Sequence, residues 1–138
     1  MKTRKPILLV EDDIVDQMTV KRALTDLKIT NRLEIASNGV EALEFLRDAN
    51  NELPGLILLD LNMPKMNGVE FLTIIKEDDR LAMIPVVVLT TSGEERDKFE
   101  SFKRSVAGYI VKPVDYTHFV EVVRMIDSYW TLSEMPVL

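Results

Sequence analysis

Short apolar runs alternate along this chain with longer stretches in which apolar residues recur at helical spacing. A new run begins about every 25 to 30 residues. Four runs are continuously apolar, contain β-branched residues and are flanked by proline or glycine, a pattern typical of strands buried on both faces of a parallel sheet. They span residues 6–10, 55–59, 84–89 and 108–111. Residues 33–36 alternate apolar and polar instead, which predicts an edge strand or a strand with one solvent-exposed face.

The stretches between the runs predict helices with one apolar stripe each. Five strands and five helices in strict alternation predict an α/β domain with a doubly wound parallel sheet. Because βαβ crossovers are right-handed, we expect helices on both faces of the sheet. The predicted stripes comprise Ile14, Met18, Ala23, Leu24 and Leu27; Ala42, Leu43, Phe45 and Leu46; Phe71, Leu72, Ile74 and Ile75; Phe99, Phe102 and Val106; and Phe119, Val122, Val123, Ile126 and Trp130.

Composition narrows the available chemistry. The chain has no cysteine, which excludes disulfides, thiolate metal sites and cysteine nucleophiles. One histidine, His118, leaves little material for a histidine-rich metal site or a Ser-His pair. The net charge of −6 argues against broad, charge-driven nucleic-acid binding, which needs a basic face, but it leaves room for a small local basic patch. Any chemistry must therefore use carboxylates, lysines and hydroxyls.

The apolar runs are too short to cross a membrane, since a span needs about 20 residues. Acidic residues stop the first run too early for a signal peptide, and no linker-like stretch is visible. The expectation is a single cytoplasmic domain over residues 1–138, with a core at about 5–128 and a C-terminal tail at 129–138. With no room for an output domain, the chain is expected to act alone.

Polar residues follow four of the five predicted strands. Because the carboxyl ends of parallel strands lie at one edge of a sheet, where ligands bind in open α/β folds, these residues are expected to meet. They are Glu11, Asp12 and Asp13 after the first run, Asp60 and then Asn62 after the third, Thr90, Thr91 and Ser92 after the fourth, and Lys112 with Pro113 after the fifth.

Taken singly, these residues have simpler interpretations. An acidic residue after a strand is most often an N-cap, and Asp13 is expected to be one. Thr-Thr-Ser and Lys-Pro are typical of turns. Together, however, converging carboxylates would repel one another unless a cation or a proton intervened. Oxygen ligands suit Mg²⁺, and carboxylate, hard metal, lysine and hydroxyl are the groups that phosphoryl transfer requires.

Four motifs in this order and spacing resemble the receiver domain of two-component response regulators, and the resemblance runs from about residue 5 to 128. They are LLVEDD at 8–13, LLDLNMPKMNG at 58–68, VLT at 88–90 and GYIVKP at 108–113. The resemblance implies a flavodoxin-like (CheY-like) fold with strand order 2-1-3-4-5. It also implies a phosphoprotein of two-component signalling or a phosphorelay, not an enzyme with independent substrate turnover.

The resemblance assigns the acidic residues. Asp60 would take a phosphoryl group from the phosphohistidine of a sensor histidine kinase or a phosphotransfer protein, forming an aspartyl phosphate. Glu11, Asp12 and Asp60, with the backbone carbonyl of Asn62, would hold Mg²⁺ or Mn²⁺, Glu11 through a water molecule.

The same resemblance assigns the remaining site. Lys112 would pair with the phosphoryl oxygens, Thr90 would donate its hydroxyl to one of them, and Tyr109 would be the aromatic switch residue. The Lys112–Pro113 bond is expected to be cis. Asn62 and Ser92, each two positions after an active residue, are expected to tune the lifetime of the phosphoryl state.

The end of the chain has two interpretations. The wording of the motifs and the Tyr-Trp ending resemble single-domain regulators that serve phytochrome kinases and tend to dimerise. A homodimer would use the face built by the fourth helix, fifth strand and fifth helix, together with the tail; alternatively, the tail aromatics simply complete the core and the last residues fray. The apolar residues concerned are Tyr129, Trp130, Leu132, Met135, Val137 and Leu138.

Two other functions compete. A phosphohydrolase of the haloacid-dehalogenase type also uses an aspartate nucleophile, but it needs a second aspartate two positions later, where this chain has Asn62. A receiver-like interaction module that is never phosphorylated is expected to have lost Asp60, Lys112 or the acidic pair, and all are present.

Overall fold

The computed structural model describes residues 5–132 and has the predicted α/β architecture. The strands are β1 (Ile7–Val10), β2 (Leu33–Ala36), β3 (Leu56–Leu59), β4 (Val86–Thr90) and β5 (Gly108–Val111). The helices are α1 (Ile14–Asp26), α2 (Gly39–Arg47), α3 (Gly68–Lys76), α4 (Glu95–Lys103) and α5 (Tyr116–Leu132), with a 3₁₀ turn at Leu81–Met83. Five parallel strands in the order β2-β1-β3-β4-β5 confirm the doubly wound sheet.

The sheet separates two apolar layers, because successive side chains of each strand point to opposite faces. Leu8 and Val10 of β1 pack with residues of α2 and α3, and α4 lies beside α3 and β5. Ile7 and Leu9 pack on the other face with residues of α1 and α5. Both faces of β1 and β3 are therefore covered, which explains why these strands are continuously apolar.

The fifth strand differs from the prediction that it is buried on both faces. It lies at the edge of the sheet, its first three residues are only half-buried, and Val111 is exposed. The alternating β2 occupies the other edge, as predicted.

Two predicted apolar stripes are wrong in part. Ile14 and Met18 of α1 are 68% and 64% exposed, because at 3.6 residues per turn they lie on the far side of the helix from the buried Val20. In α4, Phe99 and Phe102 are likewise 64% and 55% exposed, and Ser101 faces the core instead. Val106 of that stripe is buried beyond the end of the helix.

The C-terminal helix completes the second layer. Phe119, Val123 and Trp130 are buried, whereas Tyr129 and Leu132 are exposed. Met135, Val137 and Leu138, which belong to the predicted tail contact, lie outside the described residues. In residues 5–132, no helix combines the length and the apolar character that a membrane crossing requires.

Candidate phosphoryl-transfer and metal site

Backbone pairing brings the predicted site residues together at the carboxyl edge of the sheet. Val10 is paired with both Ala36 and Leu59, so Glu11 and Asp60 leave the sheet side by side. The Asp60 N–H donates to the Val10 carbonyl at 3.0 Å, and the Lys112 N–H donates to the Thr90 carbonyl at 2.7 Å.

The loop after β3 folds back tightly under Asp60. The Gly68 N–H donates to the Leu61 carbonyl at 3.0 Å, and Asn67 caps α3 in a reciprocal capping box with Glu70. A Cβ atom on Gly68 would lie 2.7 Å from both the Asp60 carbonyl oxygen and Leu61 Cα. Glycine at this position therefore allows α3 to begin directly against the acidic residue.

Three carboxylates converge at the centre of the site. Glu11, Asp12 and Asp60 each offer an oxygen within 4.8 Å of the others, and Glu11 and Asp60 are buried whereas Asp12 is exposed. Among residues 5–132, Asp60 Oδ1 is buried without a hydrogen-bond partner. A buried acceptor without a partner, beside two further carboxylates, fits a hard divalent cation.

The electrostatics of Glu11 reflect this crowding. Burial raises the pKa of Glu11 to about 7, the Lys112 ammonium opposes that rise, and the charge of Asp60 adds to it. The backbone oxygen of Glu11 accepts a hydrogen bond from the Gln17 side chain at 2.6 Å, which ties the residue to α1.

Lys112 forms two ion pairs inside the site. Its Nζ lies 2.5 Å from Glu11 Oε1 and 2.9 Å from Asp16 Oδ2, and its side chain is almost fully buried. Burial acts to lower the pKa of Lys112, but the hydrogen bonds to Glu11 and Asp16 outweigh it and the pKa is raised.

The expected cis Lys112–Pro113 bond is wrong, because every peptide bond in the described residues is trans. The trans form has the lower free energy for most X-Pro bonds. With this bond trans, the Lys112 ammonium still reaches Glu11 and Asp16.

Thr90, Ser92 and Tyr109 are connected through the loop after β4. The fully buried Thr90 accepts a hydrogen bond from the Ser92 N–H at 3.3 Å, and the Tyr109 hydroxyl donates to the Ser92 carbonyl at 2.8 Å. Burial raises the pKa of Tyr109, in spite of its hydrogen bond to Ser92.

The remaining predicted residues lie at the rim. Asp13 is the N-cap of α1, as expected, and accepts hydrogen bonds from the N–H groups of Val15 and Asp16. Asn62 is exposed beside Asp60. The Ser92 hydroxyl is engaged by Asp97 of α4, with Oγ and Oδ2 2.5 Å apart.

Comparison with known proteins identifies this arrangement. Residues 7–124 match the model of the response regulator receiver domain family. The chain belongs to this family.

Among curated relatives of this receiver domain, the probable methanogenesis regulatory protein FilR2 of Methanothrix harundinacea is 40% identical, over 90% of this chain and 82% of its own length. Response regulator Rcp1 of Synechocystis sp. is 41% identical, over 91% of this chain and 88% of its own length.

Solved structures agree with the fold of the receiver domain. The Mn²⁺-bound form of Rcp1 superposes with a TM-score of 0.88 at 39% identity, covering 96% of this chain and 99% of that one. The phosphorylated cyanobacterial phytochrome response regulator RcpA superposes with a TM-score of 0.91 at 38% identity, covering 98% of this chain and 100% of that one. The protein is a two-component response regulator.

Sequence reasoning about this receiver domain missed Asp16 and Asp97. Both lie in the first turn of a helix, where an acidic residue is ordinarily explained by the helix dipole. Asp16 has a partner only because Lys112 approaches it from the end of β5, whereas Asp97 contacts Ser92 five positions earlier, in the loop that leads into its own helix.

Proposed function

We propose that Asp60 accepts the phosphoryl group of a sensor histidine kinase or a phosphotransfer protein. The observation that carries this proposal is the buried, unpartnered Oδ1 of Asp60, whose carboxylate clusters with two further carboxylates and interacts electrostatically with the ammonium group of Lys112. In the transfer, an Asp60 oxygen forms a bond to phosphorus as the bond from phosphorus to the donor imidazole nitrogen breaks. The electron pair of that broken bond stays on the imidazole.

Glu11, Asp12 and Asp60 would hold Mg²⁺ or Mn²⁺, with the backbone carbonyl of Asn62 as a further ligand and Glu11 acting through water. The cation, when bound, would neutralise charge on the phosphoryl oxygens, which is the main obstacle to attack by a carboxylate. This part of the proposal is supported by the oxygen cluster and by the Mn²⁺-bound form of Rcp1.

Lys112 and Thr90 are the two side chains that stabilise the transferred phosphoryl group. The ammonium would pair with one phosphoryl oxygen, and the Thr90 hydroxyl would donate to another. Because the Ser92 N–H donates to Thr90 Oγ1 and the Ser92 carbonyl accepts from Tyr109, a movement of Thr90 alters both contacts. Tyr109 is thereby the switch residue that carries the phosphorylation state to the face of α4, β5 and α5.

The protein catalyses its own phosphorylation and dephosphorylation and turns over no independent substrate. Asn62 carries an amide where a haloacid-dehalogenase-type hydrolase needs an acid, so it cannot protonate a leaving group. Asn62 and Ser92, each two positions after an active residue, tune the phosphoryl lifetime. The single-domain organisation over residues 1–138 and a cytoplasmic location remain predictions.

The phosphodonor docks on the exposed start of α1. Ile14, Val15 and Met18 are apolar yet about two-thirds exposed, and they lie in the first two turns of the helix that begins two positions after the exposed Asp12. Apolar residues grouped beside a reactive carboxylate are typical of a protein-docking surface. A phytochrome is the proposed kinase class, on the likeness to the phytochrome response regulator RcpA.

We further propose that the protein signals by forming a homodimer through the face of α4, β5 and α5. Its apolar residues are the exposed Val111 on the edge strand and Met125, Tyr129 and Leu132 at helical spacing on α5. An edge strand with an exposed apolar residue and an exposed apolar stripe on the following helix each favour pairing with a second copy.

The central proposal is tested by incubating the protein with a small phosphodonor and Mg²⁺. We expect labelling that is acid-labile, as an acyl phosphate is, and that disappears in Asp60→Asn. Acid-stable label, or label that persists in Asp60→Asn, would overturn the assignment of Asp60. No label in the wild type would favour the alternative of an interaction module that is never phosphorylated.

A further inference from the structure

Both carboxylate oxygens of Glu11 are occupied. Oε1 accepts from Lys112 Nζ at 2.5 Å, and Oε2 accepts from the Asp13 N–H at 3.1 Å. Glu11 is also one of the three carboxylates that can hold a cation. The Lys112 ammonium and a cation, whether Glu11 meets the cation directly or through water, therefore draw on the same negative charge, and cation binding weakens the contact of Lys112 with Glu11.

Asp16 is the second partner of the same ammonium. Its Oδ2 lies 2.9 Å from Lys112 Nζ, although 96 positions separate the two residues. Asp16 is held in the first turn of α1, where its N–H donates to the Asp13 cap at 3.1 Å. Because it stands on a helix and outside the carboxylate cluster, Asp16 can keep the ammonium after Glu11 has released it.

We propose that Asp16 is a positioning residue that retains Lys112 when Glu11 turns to the cation, and so makes the metal site available. This inference rests on the proposed metal site. Without Asp16, the ammonium would have Glu11 as its one ion-pair partner within hydrogen-bond distance. Cation binding would then leave a buried ammonium with no carboxylate in hydrogen-bond contact, which is costly. With Asp16 present, the ammonium exchanges two carboxylate partners for one, and it remains beside the place that the phosphoryl oxygens would occupy.

The test is calorimetric titration of Mg²⁺ into the unphosphorylated wild type, Asp16→Asn and Asp13→Asn. The two variants remove the same charge from neighbouring positions, and asparagine is as good an N-cap as aspartate, but only Asp16 contacts Lys112. We expect the Mg²⁺ dissociation constant to rise about fivefold more in Asp16→Asn than in Asp13→Asn, the size of one lost hydrogen bond of ordinary net strength. Asp16→Glu is expected to restore most of the affinity.

A Lys112→Met background separates positioning from simple charge. Without the ammonium, Glu11 has no competitor, so Asp16→Asn is expected to weaken Mg²⁺ binding no more than Asp13→Asn does. Equal effects of the two substitutions in the presence of Lys112 would overturn the role of Asp16 while leaving the metal site intact. A wild type that takes up no Mg²⁺ would instead refute the proposed metal site, and this inference with it.

Discussion

The Tyr109 hydroxyl donates a hydrogen bond to the Ser92 carbonyl at 2.8 Å, which joins the edge strand to the loop after β4. The same Ser92 holds Thr90 through its N–H and Asp97 through its hydroxyl. One residue therefore connects the predicted switch tyrosine, the predicted phosphoryl-binding threonine and the start of α4.

Tyr109→Phe is expected to lower the free energy of unfolding by about 1 kcal/mol at neutral pH, through the lost hydrogen bond. Burial raises the pKa of Tyr109, so its protonated form stabilises the fold fully below the ordinary tyrosine pKa of about 10. That contribution is lost as the pH rises through the folded-state pKa. Urea unfolding across the alkaline range should therefore show a shallower decline in Tyr109→Phe than in the wild type.

Tyr129→Phe is the control for that experiment, because Tyr129 is 70% exposed. A decline in stability that is equally steep in Tyr109→Phe and in the wild type would contradict the role assigned to the Tyr109 hydroxyl.

Asp97→Ala is expected to shorten the phosphoryl lifetime a few-fold. The Ser92 hydroxyl, now engaged by Asp97 Oδ2, would become available to a water that attacks the aspartyl phosphate. Loss of label after removal of the phosphodonor measures the rate. In a Ser92→Ala background, Asp97→Ala should have no further effect. If neither Ser92→Ala nor Asn62→Ala changes the rate, the lifetime role proposed for these two residues is wrong.

Met125→Lys and Tyr129→Lys are each expected to dissociate the homodimer, since each substitution places a charge within the exposed apolar stripe of α5. Sedimentation velocity of the phosphorylated protein measures the mass of the species in solution and so distinguishes dimer from monomer. Val40→Lys introduces the same charge at an exposed apolar position of α2 and should leave the mass unchanged. A monomeric wild type at all concentrations would exclude the dimer.

Gly68→Ala should lower stability by about 1 to 3 kcal/mol and slow phosphorylation, because the added Cβ would meet backbone atoms of Asp60 and Leu61. Gly93→Ala is the matched control, since its Cβ would lie 4.0 Å from Val111, an ordinary contact. Unfolding curves and labelling rates of both variants test the contrast. Equal behaviour would mean that α3 can move away from Asp60 at little cost.

The apolar pattern was sufficient to predict the order of strands and helices along the chain. A continuously apolar run of four residues, such as Leu56–Leu59, is removed from water when it forms a strand of a sheet that is covered on both faces. The pattern was insufficient to predict which apolar residues of each helix are exposed. Ile14 and Phe99 are apolar and lie in predicted helices, but a helix buries only the stripe that the sheet covers, and both residues lie outside it.

The sequence by itself determined the alternation of strands and helices, and also the carboxylate cluster and the residues beside it, because parallel strands bring their carboxyl ends to one edge. The strand order was implied only by the resemblance to receiver domains, and the structure confirms it. Only the tertiary structure decided the partners. Lys112 pairs with Asp16 across 96 positions, and Ser92 pairs with Asp97 rather than with open solvent. The first contact depends on how closely α1 packs against the end of β5, and the second depends on the conformation of the loop that leads into α4.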